Sequence, residues 1–147
     1  MSLESSLYVL AEKLGVTTDF WDWKGRHTQV PQHTIIAVMA AMGVDAATET
    51  SAEAAIAELE LKPWRRGLPP VVVVSEGDTT HVEAHVVHGH PAQIRLRLED
   101  GEVRYLGQRH HMVEPREVDG TLIGEASFAV PSDLPTGYHR LELLSDD

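Results

Sequence analysis

There is no cysteine among the 147 residues. That excludes a disulfide framework, a thiolate metal site and a thiol nucleophile together, and it fits a reducing compartment. Bases are scarce as well: 12 Lys plus Arg stand against 23 Asp plus Glu, a formal net charge of −11. Nonspecific binding of nucleic acid or of an anionic membrane needs a basic face large enough to displace counterions, and so few bases do not build a dominant one. No apolar run is long enough to span a membrane. The start, Met1 to Ser6, lacks the basic-then-apolar pattern of a secretory signal, so a cytoplasmic protein is expected. No Gly-x-Ser-x-Gly elbow, phosphate loop or dinucleotide glycine fingerprint occurs. There is no internal repeat, and no cofactor is implied.

What is present is ordinary for a globular chain: 42% hydrophobic and 24% charged residues. Two halves differ in kind. Up to about residue 62, Ala, Leu and Met recur at helical spacing. From about residue 68, Val, Ile and Leu alternate between Gly, Asp and Pro. Both halves are acidic, with four bases and nine acids in the first 62 residues and eight bases and fourteen acids in the rest.

The first half predicts three helices. Leu3, Leu7, Leu10 and Leu14 share one face, and Gly15 is the expected stop. A second helix is expected from Pro31, with Ile35, Val38, Met39 and Met42 as its stripe and Gly43 at its end. The third is expected to open on a capping box of Thr50 and Glu53, to present Ala54, Ala55, Leu59 and Leu61, and to close at Pro63. The second helix carries no Arg or Lys between Pro31 and Met42, which argues against a DNA-reading helix.

The second half predicts about seven strands. Val71–Val74 is continuous and apolar, as in a strand buried on both faces. Thr80–Val87 places Val82, Ala84 and Val86 on one face. Residues 92–99 alternate, with Ile94, Leu96 and Leu98 inward and Arg95 and Arg97 outward. Asp100-Gly101 and Asp119-Gly120 read as type I′ hairpin turns. Val103–Gly107, His110–Val118, Thr121–Val130 and Tyr138–Leu144 complete the set. The expected architecture is α+β: a small N-terminal helical module of about three helices at 1–62, a linker at 63–70 with Trp64 as a plug, and an immunoglobulin-like antiparallel β-sandwich at 71–147.

Two constellations could carry chemistry. The chain has nine histidines. His81 and His85 fall on one strand face, and His88 and His90 are two apart. Imidazole suits zinc, copper or nickel, so these four are the candidate metal ligands. The competing reading is solvent-facing strand histidine, since His81 and His85 lie opposite the apolar face. The second constellation is Trp21 and Trp23, in Phe20-Trp21-Asp22-Trp23-Lys24-Gly25. Flat indole faces stack on sugar rings, which makes this pair a candidate carbohydrate platform. The gain from burying large aromatics favours the other reading, in which they fill the gap between the first two helices. Carboxylates are plentiful but scattered through turns and helix ends, and no residue is assigned a catalytic role.

The segments Leu14-Gly15-Val16, Phe20 to Gly25, Val30-Pro31 and Ala40-Ala41-Met42-Gly43-Val44-Asp45 resemble the N-terminal region of amylomaltases, the bacterial 4-α-glucanotransferases of glycoside hydrolase family 77. Pro63-Trp64, Leu68 to Val73 and Asp133-Leu134-Pro135-Thr136-Gly137-Tyr138-His139-Arg140-Leu141 resemble the longer actinobacterial members, which place a β-sandwich ahead of their barrel. The resemblance runs over nearly the whole chain. It departs at His33-Thr34, where many relatives have Glu-Thr at a helix start. It implies a catalytic (β/α)₈ barrel downstream, which needs about 250 residues, so the chain is expected to be a noncatalytic accessory region. The implied partners are the barrel of the same polypeptide, a maltooligosaccharide or glycogen-type glucan, and a second copy in a homodimer. The rival readings are a stand-alone glucan-binding module and a histidine-rich metal-binding protein.

Overall fold

The computed structural model describes residues 2–145. Met1, Asp146 and Asp147, which the expected 1–62 and 71–147 segments include, lie outside them. The chain divides into two compact units, Met1–Leu61 and Lys62–Asp147. Among the described residues, no helix is long and apolar enough to cross a membrane.

In the first unit, α1 (Leu3–Leu14), α2 (Gln32–Ala41) and α3 (Glu49–Leu61) enclose a core of Leu7, Leu10, Ala11, Ile35, Met39, Ala46, Ala52 and Ile56. Two glycines stop helices in the same way. Gly15 and Gly43 take φ of 70° and 80°, and the following Val16 and Val44 donate back to the carbonyls of Ala11 and Met39. A left-handed residue at that point lets the chain turn while satisfying the last carbonyls. Two details differ from expectation. Pro31 sits just before α2 as its cap, not inside the first turn. The cap of α3 is the pair Thr48 and Ser51: Ser51 N donates to Thr48 Oγ1 at 3.1 Å, and Thr48 N to Ser51 Oγ at 3.0 Å. The cap lies two residues earlier than the Thr50 and Glu53 box, and Ser51 takes at Thr48 N the place that Glu53 was expected to take at Thr50 N. Thr48→Ala should therefore cost about 0.5–2 kcal/mol, and Thr50→Ala much less, by thermal or urea unfolding.

Between α1 and α2 the chain forms a hairpin, β1 (Asp19–Trp21) and β2 (His27–Gln29), where a packed aromatic filler was expected.

The second unit is a sandwich of two antiparallel sheets. One sheet orders β3 (Thr80–Val87), β8 (Thr121–Val130) and β6 (Gly107–Arg109), with β7 (Arg116–Val118) also on β8. The other orders β5 (Val103–Tyr105), β4 (Ala92–Arg97) and β9 (Arg140–Ser145). Val82, Ala84, Phe128 and Val130 from the first face Ile94, Leu96 and Leu98 from the second in one core. Both β6 and β7 lie along the same edge of β8, pairing with residues 127–129 and 121–123 and leaving Gly124, Glu125 and Ala126 between them.

Four expectations need correction here. Val71–Val74 is not a strand. Val72 and Val74 pack on the sandwich core while Val71 and Val73 are exposed, because only one side of this segment meets the core. The expected strand 103–107 is two strands in different sheets, with the chain crossing at Leu106, whose side chain is buried and whose N–H binds the Ile94 carbonyl. Of 110–118 only Arg116–Val118 is extended into a ladder. At Asp119-Gly120 both φ values are positive, 51° and 82°, as a type I′ turn requires. At Asp100-Gly101 only Gly101 is positive. Gly101 N bonds Leu98 O and Leu98 N bonds Glu102 O, a three-residue loop closed by a glycine bulge.

The segment 63–70, expected as a linker, lies on the sandwich unit. Pro63–Arg65 makes a single 3-10 turn that buries Trp64, Leu68 packs on the core, and Gly67 O accepts from His85 N.

Candidate functional site

Trp21 and Trp23 are displayed, not packed. They are 72% and 89% exposed, on the β1–β2 hairpin. The burial reading fails because the core of the three helices is formed by Leu, Ile, Met and Ala side chains, and neither indole is among them. The hairpin holds its shape through Asp22. Its Oδ1 accepts from the backbone of Lys24 and Arg26, both at 2.8 Å, and its Oδ2 from Arg26 Nε at 2.9 Å. These bonds, the backbone bond from Arg26 foremost, hold the Asp22 carboxyl below the usual aspartate range against the opposing pull of burial. Gly25, at φ 72°, closes the loop. The result is a tight turn that presents two indoles: Trp21 beside the His27 ring at 5.2 Å between centroids, and Trp23 under the Lys24 ammonium at 4.8 Å. Phe20 next to them is half exposed. An exposed, backbone-fixed pair of indoles with cations at its margin can stack on the apolar face of a sugar ring and donate to its hydroxyls.

The four candidate metal ligands do not converge. His81 Nε2 meets Glu83 Oε1 at 3.1 Å on the exposed surface. His88 and His90 lie in the turn between β3 and β4, with His88 against Gly124. Among the described residues, no three His, Asp or Glu side chains are grouped to hold a metal ion.

His85 has a different role from either reading. Its side chain is largely buried, because the 63–67 segment covers the face of β3 that was expected to meet solvent. Its Nε2 lies 2.9 Å from Glu125 Oε2, and its Nδ1 faces the Arg66 carbonyl at 3.2 Å. The other oxygen of Glu125 receives His111 Nε2 at 2.7 Å. Trp64 stacks on the His85 ring at 4.6 Å, and the Arg116 guanidinium sits 5.0 Å over Trp64. Glu125 is reachable by two imidazoles because it stands in the break between β6 and β7. Burial pushes its carboxyl up, but hydrogen bonds and charge from His111 and His85 outweigh that and leave it below the ordinary glutamate range. Sequence spacing missed this cluster: residues 64, 85, 111, 116 and 125 share no period, and only the sheet register joins them. An open groove of about 630 Å³ runs beside it, lined by Trp64, Arg66, His85, Val118, Asp119 and Leu143 among others. Arg65 Nε is bonded to Asp119 Oδ2 at 2.8 Å at its rim, which holds that carboxyl below its usual range.

Comparison with known proteins gives one consistent result. The chain is 42% identical over 146 residues to the 4-alpha-glucanotransferase of Mycobacterium tuberculosis and equally to that of Mycobacterium bovis, covering 99% of this chain and 20% of each relative. It therefore spans about a fifth of the length of the curated relatives it matches. The crystal structure of amylomaltase from Corynebacterium glutamicum superposes with a TM-score of 0.91 at 38% identity, covering 98% of this chain and 21% of that one. The family described as MalQ N-terminal beta sandwich domain matches residues 67–147, the greater part of the sandwich unit, and the chain belongs to that family.

Proposed function

We propose that this chain is the noncatalytic N-terminal region of a 4-α-glucanotransferase, acting in the cytoplasm, whose transfer of α-1,4-glucan segments is carried out by a barrel in the same polypeptide. The observation that carries this reading is coverage. Nearly all of the chain aligns, helical unit included, yet it accounts for only 20% of each mycobacterial relative. Rate acceleration comes from groups placed at the reacting sugar. An accessory region instead covers apolar barrel surface, supports assembly or adds remote binding energy. The test compares three proteins on maltotriose: this chain, the longer parent, and the parent lacking residues 1–147. The chain alone should release no glucose above buffer. The parent should be active. The deletion, if monodisperse, should keep its kcat on short donors within about tenfold while melting earlier or showing a raised KM for long glucans. A folded deletion that has lost many orders of magnitude in kcat would place the active site in this segment and overturn the assignment.

A second reading is favoured by the exposure of Trp21 and Trp23: that the hairpin holds glucan on behalf of the barrel. Replacing either indole with Ala should cost about 0.5 kcal/mol or less of stability, because neither is buried. Binding of maltoheptaose, followed by Trp fluorescence or calorimetry, should weaken about 2–10-fold for each lost ring. Unchanged maltoheptaose binding in the double variant would remove this reading and leave the first intact.

A further inference from the structure

The second sheet of the sandwich carries a face at odds with the rest of the chain. Register fixes its composition. Arg95 lies between Glu142 and Tyr105, Arg97 between Arg140 and Val103, and Gln93 beside Leu144. Since Ile94, Leu96, Leu141 and Leu143 point to the core, these neighbours point outward. Three arginines therefore share a face with one glutamate, in a chain whose net charge is −11. Glu142 is fully engaged: Arg95 Nε donates to one oxygen at 2.6 Å and Arg97 Nε stands 3.7 Å from the other. Arg97 and Arg140 are direct cross-strand partners of like charge, an arrangement that destabilises a sheet. Around them Tyr105 is 57% exposed, and Tyr138, two residues before Arg140, is 93% exposed. Tyr138 is held by its own backbone, whose N–H binds the Glu99 carboxylate at 3.1 Å.

We infer that this Arg–Tyr face is a docking surface for a short carboxylate-bearing protein segment. Exposed tyrosine and arginine without lysine is the side-chain composition that anchors protein interfaces, because a planar guanidinium pairs bidentately with a carboxylate and a tyrosine adds apolar area at small entropy cost. Charge complementarity selects the occupant. The three arginines exceed Glu142 by two charges, and still by one when the Glu99 carboxylate beside Tyr138 is counted, which calls for a carboxylate, and Arg97 beside Arg140 is relieved when an anion sits across them. An extended polyanion is disfavoured, since the acidic remainder of a chain whose net charge is −11 repels whatever reaches past the patch. A like-charge pair that one shared carboxylate, Glu142, offsets only in part is where function is expected.

The test uses the 147-residue chain and a fluorescein-labelled 12-residue peptide of alternating Glu and Val, titrated at 50 and 300 mM NaCl. Saturable binding is expected at low salt, weakened at least fivefold at high salt and at least tenfold by Arg97→Glu with Arg140→Glu. Arg97→Gln with Arg140→Gln, which leaves no new charge, should weaken it at least threefold and serves if the reversal misfolds. Arg140→Glu alone should raise Tm by about 1–3 °C while weakening the peptide, because it turns a like-charge pair into an opposite one. No saturable peptide binding, or equal binding by both double variants, overturns the inference. Tighter binding of a heparin hexasaccharide than of the peptide would reassign the face to sulfated sugars, and loss of maltoheptaose binding in the double variants would reassign it to glucan. Self-association in sedimentation velocity that the double variants abolish would make the occupant a second copy. The first two results reject a carboxylate-bearing protein partner, the third rejects a separate partner in favour of this chain's own acidic surface, and none touches the family assignment.

Discussion

Phe128→Ala is expected to destabilise the sandwich unit by about 3–5 kcal/mol, a large share of the about 5–15 kcal/mol that holds a domain folded. Phe128 is 1% exposed, and it stands on β8, the strand that every other member of its sheet pairs with. Its backbone is bracketed by Val82 on one side and Gln108 on the other. A cavity there cannot close by moving an edge strand, because β8 is fixed from both sides. Large-to-small substitutions cost most where the surroundings relax least. Leu106→Ala, at the crossing between sheets, should cost less, since the neighbouring chain is short and less constrained. Near-UV circular dichroism and urea unfolding of the two variants would check the ranking. A Phe128→Ala protein within 1 kcal/mol of wild type would mean that the sandwich core is more plastic than its packing shows.

What could be read in advance followed from periodicity. The helix from Leu3 to Leu14 and its glycine stop rest on a leucine spacing that has no other interpretation, and the structure returns those bounds. Strand β8 and the inward set Val82, Ala84, Ile94 and Leu96 were equally legible, because alternation assigns faces without knowledge of partners. The α+β class followed from the two. What periodicity cannot see is which surface ends up covered. The valine run at 71–74 looks like a doubly buried strand, yet its segment meets the core on one side only. Strand β3 alternates correctly, but the side opposite the core is roofed at His85 by Trp64, which was expected to be a plug between the halves. The hairpin carrying Trp21 and Trp23 has strands of three residues and no apolar alternation, so propensity gave no sign of it. A sign was nevertheless there: glycine in the third position after Asp22, as Gly101 follows Leu98, is the mark of a three-residue loop with a left-handed close. The error at the tryptophans came from weighing aromatic burial in isolation, where the question was whether a core had room for them.

Glu125→Leu should destabilise by about 1.5–3 kcal/mol, and the loss should depend on pH in a fixed direction. The Glu125 carboxylate accepts from two imidazoles at 2.9 and 2.7 Å, and its side chain is 15% exposed. Leucine fills similar space but leaves His85 and His111 without their acceptor, and a stranded half-buried donor costs more than the lost bond was worth. The carboxyl lies lower in the folded chain than its ordinary value of 4.5. A depressed carboxyl contributes stability that is fully present above the unfolded value and is lost as pH falls through the folded one. Wild type should therefore lose stability from about pH 5 downward, and part of that slope should be missing in Glu125→Leu. Glu125→Gln separates charge from shape: it keeps an acceptor oxygen for one histidine and turns an N–H donor toward the other. Its cost should fall between wild type and Leu at pH 7 and shrink relative to wild type at pH 4. Melting temperatures of the three proteins between pH 4 and 7 would decide. Parallel curves would mean that His85 is held by packing under Trp64 and that the carboxylate adds nothing.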